Sequence, residues 1–154
     1  MYKTILVPHA GTESDDQALK HAIYAANISS KIILLHVIEK LQYPPSFALS
    51  SSERKSLLNS IDNANEEMRR DMEKKMEKYV QQCKEKRIKA EVIVKIGNAS
   101  ENILRVVKNQ KVDLIVMSKR RKLKGMKKLL SLGSVSRKIV ENTPCPVLLI
   151  DVEK

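Results

Sequence analysis

The sequence predicts an α/β protein, a single-domain three-layer α/β/α sandwich built on a five-stranded parallel sheet. Three observations carry this. Five short apolar stretches alternate with four stretches of helical periodicity along the whole chain, the pattern of consecutive β-α-β units. Several of the apolar stretches lack polar alternation, as strands covered on both faces must. The 154 residues, 42% of them apolar, suffice for one folded domain with a substantial core.

The first strand is Lys3–Pro8, and Pro8, which has no N–H to donate, ends its ladder. His9-Ala10-Gly11-Thr12 follows as a short turn. Ser14 with Gln17 three residues on has the spacing of a capping box and predicts a helix over 15–27. Ala18, Leu19, Ala22, Ile23 and Ala26 share one face of it. Lys31–Ile38 is the second strand, apolar on both faces. Residues 40–50 contain Pro44-Pro45 and read as loop, and Ser50 with Glu53 forms a second capping pattern. The helix it opens runs to about residue 87. Leu58, Ile61, Met68, Met72, Met76, Tyr79 and Cys83 form its apolar stripe, which suits packing on a sheet; a coiled-coil seam is the alternative. Lys89–Ile96 is a third strand with more alternation, as expected of an edge. Gly97-Asn98 ends it, and a helix over 100–110 turns Ile103, Val106 and Val107 inward. The fourth strand is Asp113–Ser118. After a cationic segment, a helix over 134–142 is expected to bury Val135, Ile139 and Val140. Thr143–Pro146 is a stiff turn into the fifth strand, Val147–Asp151.

Composition narrows the function classes. There is no Trp, and aromatic residues make up 3%, so the core is aliphatic and filled by methionine. No run of 18 apolar residues occurs, so no membrane span is expected, and the N-terminus lacks the pattern of a signal peptide; a cytoplasmic location is the expectation. Cys83 and Cys145 show neither metal spacing nor CxxC pairing and read as reduced thiols. The net charge of +11 favours acidic partners, whether nucleotide, nucleic acid or protein. There is no paired acidic constellation, no nucleophile beside a base and no metal-spaced cluster, so no catalytic residue and no metal ligand is assigned. His9 lies in the turn, either exposed to solvent or in contact with a ligand. His36 reads as a core or dimer-adjacent residue, and His21 as a surface one.

The last third of the chain holds the candidate site. A buried strand ending at Met117-Ser118 leads into Lys119, Arg120, Arg121, Lys122, Lys124, Lys127 and Lys128, and then into Gly133-Ser134, a glycine before an N-cap candidate. Free backbone N–H groups and the helix dipole would make an anion site there. In parallel sheets ligands bind beyond the strand C-termini where the strand order reverses. The turn from Pro8 to Thr12, Val37 at the end of the second strand and the loop after the fourth would converge at that place.

These residues resemble the universal stress protein family over nearly the whole chain. The likeness rests on Ile5-Leu-Val-Pro8 followed by Gly11-Thr-Glu-Ser, on Leu34-Leu-His-Val37 and on Leu114-Ile-Val-Met117. Most specific is Gly133-Ser-Val-Ser-Arg-Lys-Ile-Val followed by Pro144-Cys-Pro-Val-Leu-Leu-Ile150. The resemblance implies an adenine nucleotide alpha hydrolase-like fold with strand order 3-2-1-4-5, and homodimers paired through the fifth strand, Val147–Asp151. It also implies a site for ATP or AMP, with Mg²⁺ as a candidate companion, drawn from Pro8, His9, Ala10, Val37, Met117, Ser118, Arg120, Arg121, Gly133, Ser134, Val135 and Ser136.

The chain departs from the family's ATP-binding branch in a way that bears on chemistry. That branch carries Gly-x2-Gly-x9-Gly-[Ser/Thr] after the fourth strand and an Asp just past the first. Here Ser118 stands at the first glycine and Arg121 at or near the second, with eleven residues between Arg121 and Gly133. Ala10 stands at the Asp position, or His9 if the turn is read one residue differently. Glycine lets a backbone approach phosphate closely, and Arg121 does not, but guanidinium and ammonium groups hold phosphate by themselves. Two alternatives to nucleotide binding therefore stand. One is a dimeric interaction module that binds no nucleotide. The other is a polyanion binder acting through residues 119–128; nucleic acid is disfavoured because no aromatic residue is interleaved for base stacking. At most, slow ATP hydrolysis is expected.

Overall fold

The computed structural model describes residues 1–40, 49–119 and 132–151. Five strands, β1 (Thr4–Pro8), β2 (Lys31–Ile38), β3 (Lys89–Ile96), β4 (Leu114–Ser118) and β5 (Val147–Ile150), alternate with four helices, α1 (Glu13–Ala25), α2 (Ser51–Glu85), α3 (Ala99–Asn109) and α4 (Ser134–Asn142). All strand pairings are parallel, and the order is β3-β2-β1-β4-β5, as the resemblance implies. The order reverses between β1 and β4, so their C-terminal ends form the switch point.

Two aliphatic clusters lie on the two faces of the sheet. On one, Ile5, Val7, Ile32, Leu34, Leu114 and Val116 meet Ala18, Leu19 and Ala22 of α1 and Met76, Tyr79, Val80 and Cys83 of α2. On the other, Leu6, Ile33, Leu35, Ile115 and Met117 meet Ile103, Val106 and Val107 of α3 and Ile139 of α4. This is why β1, β2 and β4 read as apolar on both faces. Every residue of β4 is buried, whereas β3, at the edge, is mostly half-buried. Asp113 joins the starts of β4 and β1, its carboxylate accepting from the Lys3 N–H at 2.8 Å and the Thr4 N–H at 3.0 Å.

Several expectations shift. The first helix is capped by Thr12 with Asp15, not by Ser14 with Gln17. The Thr12 hydroxyl faces the Asp15 N–H while the Asp15 carboxylate reaches back to the cap backbone, so both ends of the box close two residues earlier. The Ser50–Glu53 box is present as expected. Replacing Thr12 with alanine is expected to cost about 1 kcal/mol in urea unfolding, against about zero for Ser14→Ala; equal effects would return the cap to Ser14. Val140 is 43% exposed, because α4 turns Ser136 and Ile139 inward, with Val135 half-buried against the core. The stripe on α2 is only partly used. Met72 packs against the core and Met76, Tyr79 and Cys83 are buried within it, but Leu58 is exposed and Ile61 and Met68 are half-buried. At 35 residues the helix is about 50 Å long, longer than the strands it covers.

Candidate functional site

The C-terminal ends of β1 and β4 meet in a hydrogen-bonded polar cluster. Just past the end of β1, the His9 N–H donates to Leu35 O at 2.8 Å. The chain then turns through Gly11, whose φ of +85° suits a residue without a Cβ. Asp15, in the first turn of α1 and 2% exposed, gathers the turn. Its carboxylate accepts from the Ala10 N–H at 2.9 Å, the Thr12 N–H at 3.4 Å and the Thr12 hydroxyl at 2.8 Å. Its other oxygen accepts from the Ser118 hydroxyl at 2.6 Å. The serine at the first glycine position thus ties the end of β4 to the start of α1.

His9 is buried rather than solvent-exposed, because α2 lays the Tyr79 ring on it at a centroid distance of 4.2 Å. Its Nδ1 accepts from the Gly11 N–H at 3.0 Å. A backbone N–H can only donate, so the neutral ring carries its proton on Nε2, which donates to Asp16 at 3.0 Å. His36 Nδ1–H donates to His9 O at 2.8 Å, making His36 a satisfied core residue as expected. Burial holds the His9 imidazole below its ordinary value of 6.5, against the opposing pull of Asp15 and Asp16. Burial also raises the Tyr79 phenol, with Asp16 adding to it. The Cys83 thiol, buried in the core, is pushed up to about 11, which keeps it inert toward thiol reagents near neutral pH.

The other side of the switch point is the start of α4. Gly133 itself is the N-cap, with Ser134 the first helical residue, and as a glycine it makes no side-chain cap hydrogen bond. The carbonyl of Gly133 accepts from the Arg137 N–H at 2.9 Å, so the helix begins there. The positive end of the helix dipole lies here, and the first-turn amides have no partner within the helix itself. Around this point Ala10 and Ser134 are exposed, and Pro8, Val37, Gly133 and Val135 are half-buried. Met117, Ser118 and Ser136 are buried, at 6%, 4% and 5%. Arg120 and Arg121, with the cationic segment to Lys128, lie outside the described residues. Lys119 sits 3.5 Å from the Asp151 carboxylate. An open groove of about 500 Å³ lies elsewhere, along Asn63, Glu66, Arg70 and Lys74 of α2, and includes none of these residues.

Sequence reasoning missed Asp15, Asp16 and Tyr79. The Thr12-x-x-Asp15 spacing was the available signal for the first. Tyr79 was assigned to the core stripe correctly, but nothing local shows that it covers a histidine.

A five-stranded parallel sheet of order 3-2-1-4-5 with helices on both faces places the chain in the adenine nucleotide alpha hydrolase-like fold class. A sequence profile of the universal stress protein family matches residues 1–151, and the chain belongs to that family. It is 27% identical to universal stress protein MJ0577 of Methanocaldococcus jannaschii, with 97% of this chain and 95% of the relative covered. The solved structure of MJ0577 superposes with a TM-score of 0.80 at 26% identity, covering 100% of this chain and 99% of that one. Universal stress protein YxiE of Bacillus subtilis is 28% identical, with 97% and 99% covered. A universal stress protein family member from Arabidopsis thaliana, solved with AMP bound, shares the fold with a TM-score of 0.60 at 22% identity, covering 98% and 92%. Among the described residues no helix is long and apolar enough to cross a membrane.

Proposed function

We propose that this universal stress protein binds an adenine nucleotide, ATP or AMP, across the C-terminal ends of β1 and β4. The observation that carries the reading is the start of α4, a helix N-terminus at the C-terminal end of the sheet whose cap residue is the glycine Gly133. Phosphate would meet the amides of Gly133, Ser134 and Val135, with Ser136 one position further into the helix. Pro8 and Val37 would flank the adenine, with Ala10 at the rim. The buried His9, Met117 and Ser118 would support that wall from beneath. The AMP-bound plant protein of the same fold is consistent with this. Arg120 and Arg121 would add charge, and Mg²⁺ would accompany a triphosphate.

Calorimetric titration of ATP, ADP and AMP, with and without Mg²⁺, tests the proposal. Saturable binding is expected, and silence at millimolar nucleotide ends the reading. Ser134→Glu separates binding from folding. A carboxylate in the first turn of a helix is tolerated or mildly stabilising, yet it repels phosphate, so affinity is expected to fall about tenfold or more (about 1.4 kcal/mol) with an unchanged unfolding midpoint.

One observation favours a second reading, a dimeric interaction module that needs no nucleotide. The β1–α1 turn already gives its Ala10 and Thr12 amides to Asp15, so those donors are spent internally. The fifth strand is at the sheet edge and shows Leu148 at 40% exposure. Pairing of two copies along Val147–Asp151 would cover it. Analytical ultracentrifugation of the wild type and of Leu148→Lys tests this: a dimer that the substitution dissociates supports it, and a monomer in both cases rejects it.

A further inference from the structure

We propose that His9 is a proton-operated latch on the β1–α1 turn: neutral, it holds the Gly11 amide, and charged, it releases that amide while Asp15 still holds Ala10 and Thr12 on either side. The geometry is specific about the neutral state. Nδ1 is the acceptor of the Gly11 N–H and Nε2–H the donor to Asp16. A second proton has one place to go, the Nδ1 lone pair. That would set two donors, Nδ1–H and the Gly11 N–H, against each other across 3.0 Å.

The ring does not escape by turning. The Tyr79 ring lies against it at 4.2 Å, and its side chain is fully enclosed. Its backbone is held as well, since the His9 N–H donates to Leu35 O and His9 O accepts from His36. Gly11 yields instead. It is exposed, it carries the left-handed φ that only glycine adopts freely, and a Cβ placed on it would meet open space. The weaker side of the contact is therefore the Gly11 peptide, between the two residues that Asp15 holds.

The charged groups facing the ring among the described residues are Asp15 and Asp16 from α1, His36 from β2, and Tyr79 from α2 with Lys78 4.7 Å from the Tyr79 ring centroid. The two carboxylates favour the imidazolium, while burial and His36 oppose it, and burial is the largest effect. Because the folded-state value is lowered, the unfolded or opened chain takes up the proton first. The latch is fully closed above the ordinary value of 6.5 and weakens as pH falls below it. This holds whether or not the neighbouring cleft binds a nucleotide, since every group in it belongs to the chain.

Nuclear magnetic resonance on the full ¹⁵N-labelled chain between neutral and mildly acidic pH tests it. The His9 imidazole, the Gly11 amide and the core Ile33 amide are followed together. His9 is expected to charge below 6.5, with Gly11 exchange, corrected for the intrinsic pH dependence, rising about tenfold in step while Ile33 stays protected. His9→Asn places an amide oxygen near the Nδ1 position and cannot titrate, so its corrected Gly11 exchange stays flat. Asp16→Asn, at a half-exposed position outside the core, removes one carboxylate that favours the charged ring. It is expected to move the midpoint to lower pH by about half a unit, and an unmoved midpoint counts against the latch. An undisturbed Gly11 while His9 titrates overturns it, as does the wild-type profile persisting in His9→Asn. Loss of Ile33 protection in step with Gly11 also overturns it, because the Gly11 amide would then not be released by itself.

Discussion

Replacing Asp15 with alanine is expected to cost about 3 kcal/mol of folding stability, read as a lower urea midpoint at unchanged m. One carboxylate holds three places together: the turn at Ala10, the cap at Thr12 and the end of β4 at Ser118. A hydrogen bond to a charged acceptor contributes about 1.5–3 kcal/mol net, and the loss also orphans a Ser118 hydroxyl on a residue 4% exposed. The full sum is not expected, because Ala10 and Thr12 lie at the surface, where water replaces part of what they lose. Asp15→Asn is expected to lie between wild type and alanine, since an amide keeps one acceptor but turns a donor toward the remaining donors. A loss below about 1 kcal/mol in the alanine variant would show that the turn and β4 are held by other contacts.

Leu34→Ala should be comparably severe, at about 3 kcal/mol. Leu34 is fully buried in β2 among Ile5, Val7, Val116 and the residues of α1 and α2. A pleated strand hydrogen-bonded on both sides, to β1 and β3, cannot collapse into the space left, so a cavity term adds to the lost transfer energy. Leu148→Ala is the informative comparison. At 40% exposure on an edge strand it should change a monomer's stability by less than about 0.5 kcal/mol. If the chain pairs through this strand, that cost becomes dependent on protein concentration. Chemical denaturation at two concentrations, tenfold apart, distinguishes the cases.

Much of the architecture was legible in the chain because it is local. Unbroken apolar runs such as Ile32–Leu35 and Leu114–Met117 mark strands covered on both sides, and the looser alternation of Lys89–Ile96 marks an edge. The Ser50–Glu53 cap and the inward face of Ile103, Val106 and Val107 were equally local. The stripe on α2 shows the limit. Leu58, Ile61 and Met68 keep the helical period, but a period states which face is apolar and not how far a sheet extends beneath it. The reading of Val140 failed for the same reason: α4 is short, and its inward face is Ser136 and Ile139, with Val135 half-buried against the core.

The candidate site divides along the same line. Gly133 at the head of the last helix and Pro8 at the end of the first strand were identifiable from their own neighbourhoods, because capping and ladder termination are set within a few residues. The choice of Thr12 over Ser14 as cap was not. Both have a partner at the right spacing, and the one that forms brings a carboxylate to Ser118, a residue 103 positions away. The burial of His9 likewise depends on Tyr79, delivered by the second helix. Composition and periodicity alone determined the parallel three-layer fold. The tertiary structure decided which polar groups at the C-terminal end of the sheet are already bonded to each other, because a hydrogen bond between distant segments leaves no spacing in the sequence to read.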